Sequence, residues 1–375
     1  MANTLTPIIP SVIRAIRSVA RRSGSLLNLC DMDVGADQVG LGQSITLPNN
    51  AAIAAYTVTP GPTPPAFVDQ VVGSNTLTLD QHKGARFSVT AEDEKKIDAG
   101  AGFIPRSIER AVEVLVNGIS DYHYGIAAAG AGLAFGTAGT TPFASDPNLI
   151  NSIWADLMDD QCPNSGADLF GVVDHYAWAT AGNLAQFQKM NESPDGVSFA
   201  TNSIGMLGNF NMQWDQTIAN ITKGTGASYV TSGANAVGDT AITLATGSGT
   251  VLAGDVILVA NDTNQYVVAT GTAAPGGITI HGGLRIATSG GETVTIQATA
   301  KRNLFGNRQA IKMGVRPSAS SKLDNATDQT VVSDPVTGLS LRLAAYGGYH
   351  GGSYELSAVY GGVVDRPEWL RILLG

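Results

Sequence analysis

Hydrophobic residues recur at helical spacing in two segments of the first third of the chain, and each pattern predicts an amphipathic helix. The first segment covers residues 7–27, and the second covers residues 105–129 and ends at the Gly- and Ala-rich stretch 130–139. A proline stands early in both segments, where a missing backbone N–H costs little. The apolar positions are Ile13, Ile16, Val19 and Ala20 in the first segment and Ile108, Val112, Leu115, Ile119 and Tyr122 in the second.

Between these helices, residues 38–90 alternate apolar and polar positions with the period of two that is typical of half-buried strands. The stretch 77–90 predicts a strand, a polar turn that contains Gly84, and a returning strand that leads into an acidic helix start. The proline-rich residues 60–65 cannot donate the hydrogen bonds of a strand ladder. We expect this long excursion to need a partner surface, which a neighbouring copy would supply.

The rest of the chain changes from mixed helix and strand patterns to strands alone and back. Residues 146–222 predict a helix from Asp146, a buried strand at 169–173 and a second helix at 177–190, which indicates a mixed α/β unit. Residues 223–300 have no helical period and read as a small barrel or sandwich inserted into another domain. The predicted strands there are 229–231, 241–244, 255–259, 265–270, 276–281 and 293–298, and two more, at 339–343 and 353–362, surround the glycine turn 347–352.

Three stretches of the sequence resemble a known family. The sequence TPGPTPP at residues 59–65, the sequence LTLDQHK at 77–83 and the segment 354–369 are similar to the P22-type branch of tailed-phage major capsid (coat) proteins. The order of elements along most of the chain resembles the same family. The resemblance implies an α+β, HK97-type capsid fold with an N-terminal arm, an extended β-loop, a long spine helix, a mixed α/β central domain and an inserted small β-barrel domain.

The resemblance also implies a division of the chain into domains. We predict an N-terminal arm (1–37), an extended β-loop (38–92), a spine-helix region (93–131), a first part of the central domain (132–222), an inserted barrel (223–300) and a second part of the central and peripheral domains (301–375).

Composition limits the class of partner. Charged residues make up only 14% of the chain and the net charge is −9, which argues against a general nucleic-acid binder. An acidic shell would keep packaged DNA from adhering to its wall. Cys30 and Cys162 lack CxxC spacing and are expected to be buried or idle thiols of a cytosolic protein. We find no signal peptide and no apolar run of about 20 residues, so a soluble, cytoplasmic protein is expected.

Sequence motifs give no sign of catalysis. Phosphate-loop, dinucleotide-binding, nucleophile-elbow and HExxH motifs are absent, and the five histidines are scattered. Residues 31–37 look like the front of a calcium loop, but Ala36 and Gly42 stand where the glycine and glutamate should be. Asp159 and Asp160 are interpreted as a solvated acidic helix end. We therefore predict no enzyme activity, catalytic residue, cofactor or metal.

The remaining candidates could carry contacts between copies. Four arginines form a positive face on the first helix, which either faces solvent or pairs with an acidic surface of a neighbouring copy. Of the four tryptophans, Trp154 and Trp178 are expected in the core. Charged residues flanking the excursion could set register between copies, since surface ion pairs contribute little stability. The candidate inter-subunit contacts are Arg14, Arg17, Arg21, Arg22, Asp80, Lys83, Arg86, Glu92, Lys95 and Trp369.

The resemblance implies a major capsid protein that assembles into pentamers and hexamers of an icosahedral shell, first a procapsid and then a mature head, around a double-stranded DNA genome. It implies a separate scaffolding protein, a portal protein at one vertex, weak contact with DNA and no membrane, and it allows a decoration protein. The protein would lie in the virion capsid after assembly in the host cytoplasm. An encapsulin-like compartment shell and a β-rich surface or binding module are the alternatives, and a small-molecule enzyme is the least favoured.

Overall fold

The computed structural model describes residues 9–23, 27–50, 57, 58, 60, 72–90, 92, 103–144, 148–164, 168–184, 204–320, 325–334 and 338–375. Its helices are α1 (Ile9–Ser23), α2 (Phe103–Gly130), α3 (Asn148–Asp159) and α4 (His175–Gly182). Its strands are β1 (Asp31–Val34), β2 (Ser44–Asn50), β3 (Val72–Thr78), β4 (Gln81–Thr90), β5 (Leu133–Phe135), β6 (Leu169–Val173), β7 (Met206–Leu207), β8 (Phe210–Trp214), β9 (Asn220–Ile221), β10 (Tyr229–Thr231), β11 (Ala241–Ala245), β12 (Val256–Val259), β13 (Gln265–Thr270), β14 (Gly277–Ile280), β15 (Thr293–Ile296), β16 (Ala300–Asn307), β17 (Ile311–Pro317), β18 (Ala326–Ser333), β19 (Ser340–Gly348), β20 (Gly351–Val364) and β21 (Leu370–Leu374).

A peripheral sheet is built around the long strand β20. On one side β20 pairs with β4, and on the other it pairs with β19 and β17, which lie end to end. Outside these, β18 pairs with β19, and β1 runs parallel to β17. Helices α1 and α2 pack on one face of this sheet, where Ile16 and Ile119 share a buried core with Leu343 and Leu356. The predicted spine helix is confirmed, and it begins two residues earlier than predicted and ends one residue later.

The hairpin of β2 and β3 lies on the opposite face of the peripheral sheet. Leu77 and Leu79 are buried there against Val359 of β20, together with Ile45 from β2. Gly361 makes the close approach possible, because a Cβ atom at this position would lie 2.0 Å from the carbonyl oxygen of Thr78.

The predicted pairing within residues 77–90 is wrong. β3 pairs with β2, whereas β4 pairs with β20 along its whole length, so the two strands belong to different sheets. The chain changes sheet at Leu79 and Asp80, and Gly84 lies inside β4 rather than in a turn. The cause is the burial of Leu77 and Leu79 on β20, which holds β3 on the sheet face while β4 joins the sheet edge.

A central sheet forms the second layer. β21 lies between β5 and β16, β6 joins the other side of β16, and β8 runs parallel to β6. Helices α3 and α4 pack on it through a separate core that contains Ile153, Ala177, Phe210 and Phe305. The strand at 169–173 is confirmed. α4 starts two residues earlier than predicted, because Asp174 caps it by accepting from the backbone N–H groups of Tyr176 and Ala177. The predicted end at residue 190 is wrong, because the helix ends at Gly182 with Asn183 as its C-cap; residues 185–190 lie outside the described residues.

Six strands close into an antiparallel barrel. The order is β10, β11, β14, β13, β12 and β15, and β15 pairs back to β10. The barrel has its own core, with Tyr229, Ile257 and Tyr266 fully buried. β13 also pairs with β5, so the barrel is continuous with the central sheet. The inserted barrel is thus confirmed, while the domain limits at 223 and 300 stay a prediction.

Three arginines connect these parts, and two of them, Arg371 and Arg302, are buried. Arg371 of β21 is fully buried; it donates from Nε to Asp156 at 2.5 Å and from Nη2 to Asp160. Arg285, in the connection from β14 to β15, donates to the same Asp160 at 2.6 Å. The interpretation of Asp160 as a solvated helix end is therefore wrong, because two guanidinium groups neutralise it where the helix dipole disfavours a carboxylate. Near the other end of the barrel, Arg302 donates to the carbonyl groups of Gly254 and of Ala128 in α2.

The closed strand order predicts that the inserted barrel folds on its own. A fragment of residues 223–300 should give a β-type circular-dichroism spectrum and a cooperative thermal transition, because its core needs no residue outside it except Leu133 and Phe135. In the matched variant Tyr266→Ala, the free energy of unfolding of the fragment should fall by on the order of 3–5 kcal/mol, and the fragment should unfold. An unfolded spectrum from the unsubstituted fragment would contradict these limits.

The arginine network predicts two very different effects of substitution. Arg371→Ala should lower the free energy of unfolding by about 3–5 kcal/mol, because it leaves two carboxylates without their buried partner. Arg285→Ala should cost less than about 1 kcal/mol, because its side chain is 34% exposed and the pair is screened by water. Urea denaturation of the unassembled subunit, followed by tryptophan fluorescence, measures both, and equal losses would contradict the assignment.

Candidate assembly surfaces

The basic helix predicted to form an arm is part of the subunit's own core. Val12, Ala15 and Ile16 of α1 are fully buried against the core that α2 also lines. Arg14 lies on the exposed face of the helix, and the side chains of Arg17, Arg21 and Arg22 lie outside the described residues. Only this outer face of α1 can therefore reach a neighbouring copy.

Two of the charged candidates near β4 have partners inside the chain. Arg86 donates from Nη2 and Nε to the hydroxyl oxygen of Ser353, at 2.8 Å and 3.2 Å, and its guanidinium carbon lies 5.4 Å from the ring centre of Tyr346. Asp80 accepts a hydrogen bond of 2.5 Å from the hydroxyl group of Tyr122 on the spine helix. Both side chains therefore hold β4 and its neighbouring turn against the subunit.

The other candidates are divided between the surface and the interior. Lys83 is exposed on β4, Glu92 is exposed just beyond it, and Lys95 lies outside the described residues. Trp369 is half-buried and packs on both large cores, and its indole N–H donates to the carbonyl oxygen of Asp160 at 3.4 Å. As inter-subunit contacts, these residues remain predictions.

Two large exposed side chains mark further surfaces: Trp214, which the sequence left open as a core or interface residue, and Tyr349, which was not singled out. Tyr349 is 97% exposed in the two-residue turn between β19 and β20, and Trp214 is 44% exposed at the end of β8. Of the two tryptophans expected in the core, Trp178 is buried and Trp154 is half-buried. The glycines on both sides of the Tyr349 turn were the available signal, because they allow a narrow, protruding hairpin.

The aspartates that resemble a calcium loop are paired with cations. Asp33 bonds Arg316 at 2.9 Å, and Asp31 bonds Lys312, across the parallel strands β1 and β17. They lie on the rim of an open cleft of about 270 Å³ whose apolar floor includes Ile45 and Leu77. Among the described residues, no group of three or more His, Cys, Asp or Glu side chains could hold a metal ion.

Burial keeps two cysteine thiols and one histidine in their neutral forms near neutral pH. Burial raises the pKa of the Cys30 thiol to about 12 and that of Cys162 to about 11, so neither is a reactive thiolate. His123 of α2 is buried, and neither ring nitrogen has a hydrogen-bond partner among the residues that the structure describes. Burial lowers the pKa of His123 to about 4, although the nearby Asp215 carboxylate opposes the shift.

His123 should make the subunit sensitive to acid. Its folded pKa of about 4 is below its ordinary value of 6.5, so the unfolded chain takes up the proton first as the pH falls. The free energy of unfolding should therefore decrease by on the order of 3 kcal/mol as the pH falls from 6.5 to 4. Melting temperatures of wild type and His123→Gln across this range measure the effect, and parallel curves for the two proteins would contradict it.

None of the helices in the described ranges is long and apolar enough to cross a membrane.

Comparisons with known proteins identify the fold. No protein-family model and no curated protein matches the sequence. The capsid structure of cyanophage P-SCSP1u is similar with a TM-score of 0.54 and 11% identity, over 94% of this chain and 88% of that chain. A structure from Mycobacterium phage Che8 has a TM-score of 0.49 and 12% identity, over 88% and 84% of the two chains. The mature capsid of bacteriophage PhiM1 has a TM-score of 0.49 and 9% identity, over 93% and 86%.

The fold prediction is confirmed at the level of the architecture. The similarity to the cyanophage capsid extends over nearly the whole of both chains, and it includes no sequence likeness that would distinguish the P22-type branch. At 11% sequence identity, this similarity is evidence for the fold alone. The peripheral sheet with its spine helix, the mixed central layer and the inserted barrel together place this chain in the HK97-type fold of phage capsid proteins.

Proposed function

We propose that this chain is the major capsid protein of a tailed phage, which assembles with copies of itself into a closed icosahedral shell. One observation carries the proposal: the fold matches a capsid subunit over 94% of the chain, so little of the protein remains for an unrelated activity. Shell building needs surfaces rather than reactive groups. The chemistry of the described side chains agrees with this, since Asp31, Asp33 and Asp160 are paired with cations and the side chains of Cys30, Cys162 and His123 are buried.

The geometry supports assembly through unlike surfaces. Rings of identical copies form when one surface of a subunit binds a different surface of the next and the rotation closes. The hairpin of β2 and β3 lies on one face of the peripheral sheet and α1 and α2 lie on the other, so the two faces differ in shape and chemistry. Such a subunit is suited to heterologous contacts within pentamers and hexamers.

The proposed cargo is a double-stranded DNA genome, enclosed first in a procapsid and then in a mature head that assembles in the host cytoplasm. The net charge of −9 supports weak contact with the packaged DNA. We propose a separate scaffolding protein and a portal protein as partners, with a decoration protein as an optional addition. An encapsulin-like compartment would use the same shell geometry and differs in what it encloses.

Electron microscopy and sedimentation of the protein expressed alone in bacteria test the proposal. We expect closed shells, spirals or open sheets of subunits, with irregular forms indicating that a scaffolding protein is missing. The matched control is Arg371→Ala, which should reduce the yield of particles because the subunit itself is destabilised. A monomer or dimer that stays small at high concentration would contradict autonomous assembly.

The contents of particles purified from the natural source separate the two shell functions. Nuclease-protected double-stranded DNA of uniform length supports a phage head. Particles that contain one enriched enzyme and no long DNA would support an encapsulin-like compartment instead.

A further inference from the structure

Among the strands that the structure describes, the peripheral sheet ends in an edge strand on each side. In the described residues β4 pairs only with β20, and β18 pairs only with β19. Each of these strands therefore has one side on which its backbone N–H and C=O groups meet no other strand that the structure describes. Open edges of this kind are templates for pairing with another chain, and proteins that do not use them usually cover them.

The two edges have compatible directions. β4 and β19 both run antiparallel to β20, and β18 runs antiparallel to β19, so β4 and β18 run in opposite directions within one subunit. A rotation about an axis roughly parallel to the strands preserves these directions. It would therefore bring β4 of one copy beside β18 of the next as an antiparallel pair, which is the stronger pairing mode.

The side chains at the two edges are complementary in charge. β4 carries His82, Lys83 and Arg86 and no acidic residue, whereas β18 carries Asp328 and no basic residue. Lys83 is in register with Ala358 of β20, and Asp328 is in register with Ala345 of β19. Both alanines belong to the core on the helix side of the sheet, so the unlike charges share that face.

Sheet geometry limits the pairing to a small number of registers. A shift by one residue would turn the side chains of one strand to the opposite face, so only shifts by two are allowed. Of the registers that bring Lys83 near Asp328, the one with the longer overlap places Gln81 opposite Val332, with Lys83 opposite Thr330 and diagonal to Asp328. The next register places Lys83 directly opposite Asp328. Both positions are within reach of a lysine side chain.

We propose that β4 of one copy pairs antiparallel with β18 of the next copy, which joins neighbouring peripheral sheets into one continuous sheet. The inference rests on the proposed assembly function and names the contact through which copies meet. The interface is heterologous, because it joins two different strands. An open ring therefore has one unpaired β4 edge at one end and one unpaired β18 edge at the other until the ring closes.

A different role for Lys83 would be to prevent edge pairing, since lysine on an edge strand often does so. The two roles predict opposite effects of reversing its charge. If Lys83 only protects the edge, Lys83→Glu keeps a charge there and leaves assembly unchanged. If β4 meets β18, Lys83→Glu faces Asp328 and weakens assembly.

Cysteine cross-linking tests the contact directly. Chains that carry Lys83→Cys together with Asp328→Cys or Thr330→Cys are assembled, oxidised and analysed on non-reducing gels. Opposite Cβ atoms of an antiparallel pair come within disulfide reach, so we expect a ladder of linked subunits in at least one of the two pairs. The native Cys30 and Cys162 should not form cross-links of their own, because both are buried.

Matched controls separate a specific contact from collision. Each single-cysteine chain and the pair Lys83→Cys with Val237→Cys, whose second site is exposed on the barrel, should stay unlinked. Assembled particles in which both edge pairs stay monomeric would overturn the inference and leave the shell function intact. The absence of any particles from the wild-type chain would contradict the shell function itself.

Two further experiments, reversal of side-chain charges and amide hydrogen exchange, test the inference if the cysteine variants fail to assemble. Lys83→Glu or Asp328→Lys alone should raise the concentration needed for assembly about fivefold, and the double variant should restore it. In the wild-type protein, backbone amides of both β4 and β18 should become protected from exchange on assembly. Exchange that continues unchanged in either strand would overturn the pairing.

Discussion

The structure depends on strand β20, which is hydrogen-bonded on both sides along most of its length. One side is occupied by β4, and the other is shared by β19 and β17. Both faces of β20 are also covered. Leu356 and Ala358 pack in the core with the helices, and Val359 packs against the hairpin of β2 and β3. The hairpin backbone can lie directly on β20 because Gly361 has no side chain at the point of contact.

The barrel is attached through arginine contacts at two places and through the pairing of β13 with β5. Arg302 binds backbone carbonyls of the barrel and of the spine helix, and Arg285 reaches the carboxylate that also binds Arg371. Buried arginines are retained only where several acceptors offset the loss of hydration, and Arg371 has two carboxylates and backbone carbonyls. The barrel is therefore an inserted domain with a fixed attachment.

Local patterns predicted the elements whose shape is decided locally. The spine helix follows from apolar residues at helical spacing, and the barrel strands follow from short β-branched runs between glycines. Long-range choices were not visible in the same way. Whether β3 pairs with β2 or with β4 depends on a surface of β20, about 280 residues away, that accepts Leu77 and Leu79. The partners of Asp160 lie in two other parts of the chain, Arg285 and Arg371, and no spacing relates them. The basic face of α1 was visible, but the depth at which its other face is buried was not.

The pairing of β13 with β5 gives the outer end of the barrel a defined orientation relative to the central sheet. Val237, in the connection from β10 to β11, is 63% exposed on that barrel. A peptide engineered into this connection would project from every subunit at the same angle rather than swing on a flexible linker. A shell built from such subunits would present an ordered, repetitive array of the inserted peptide, which is the arrangement that multivalent receptors bind most strongly.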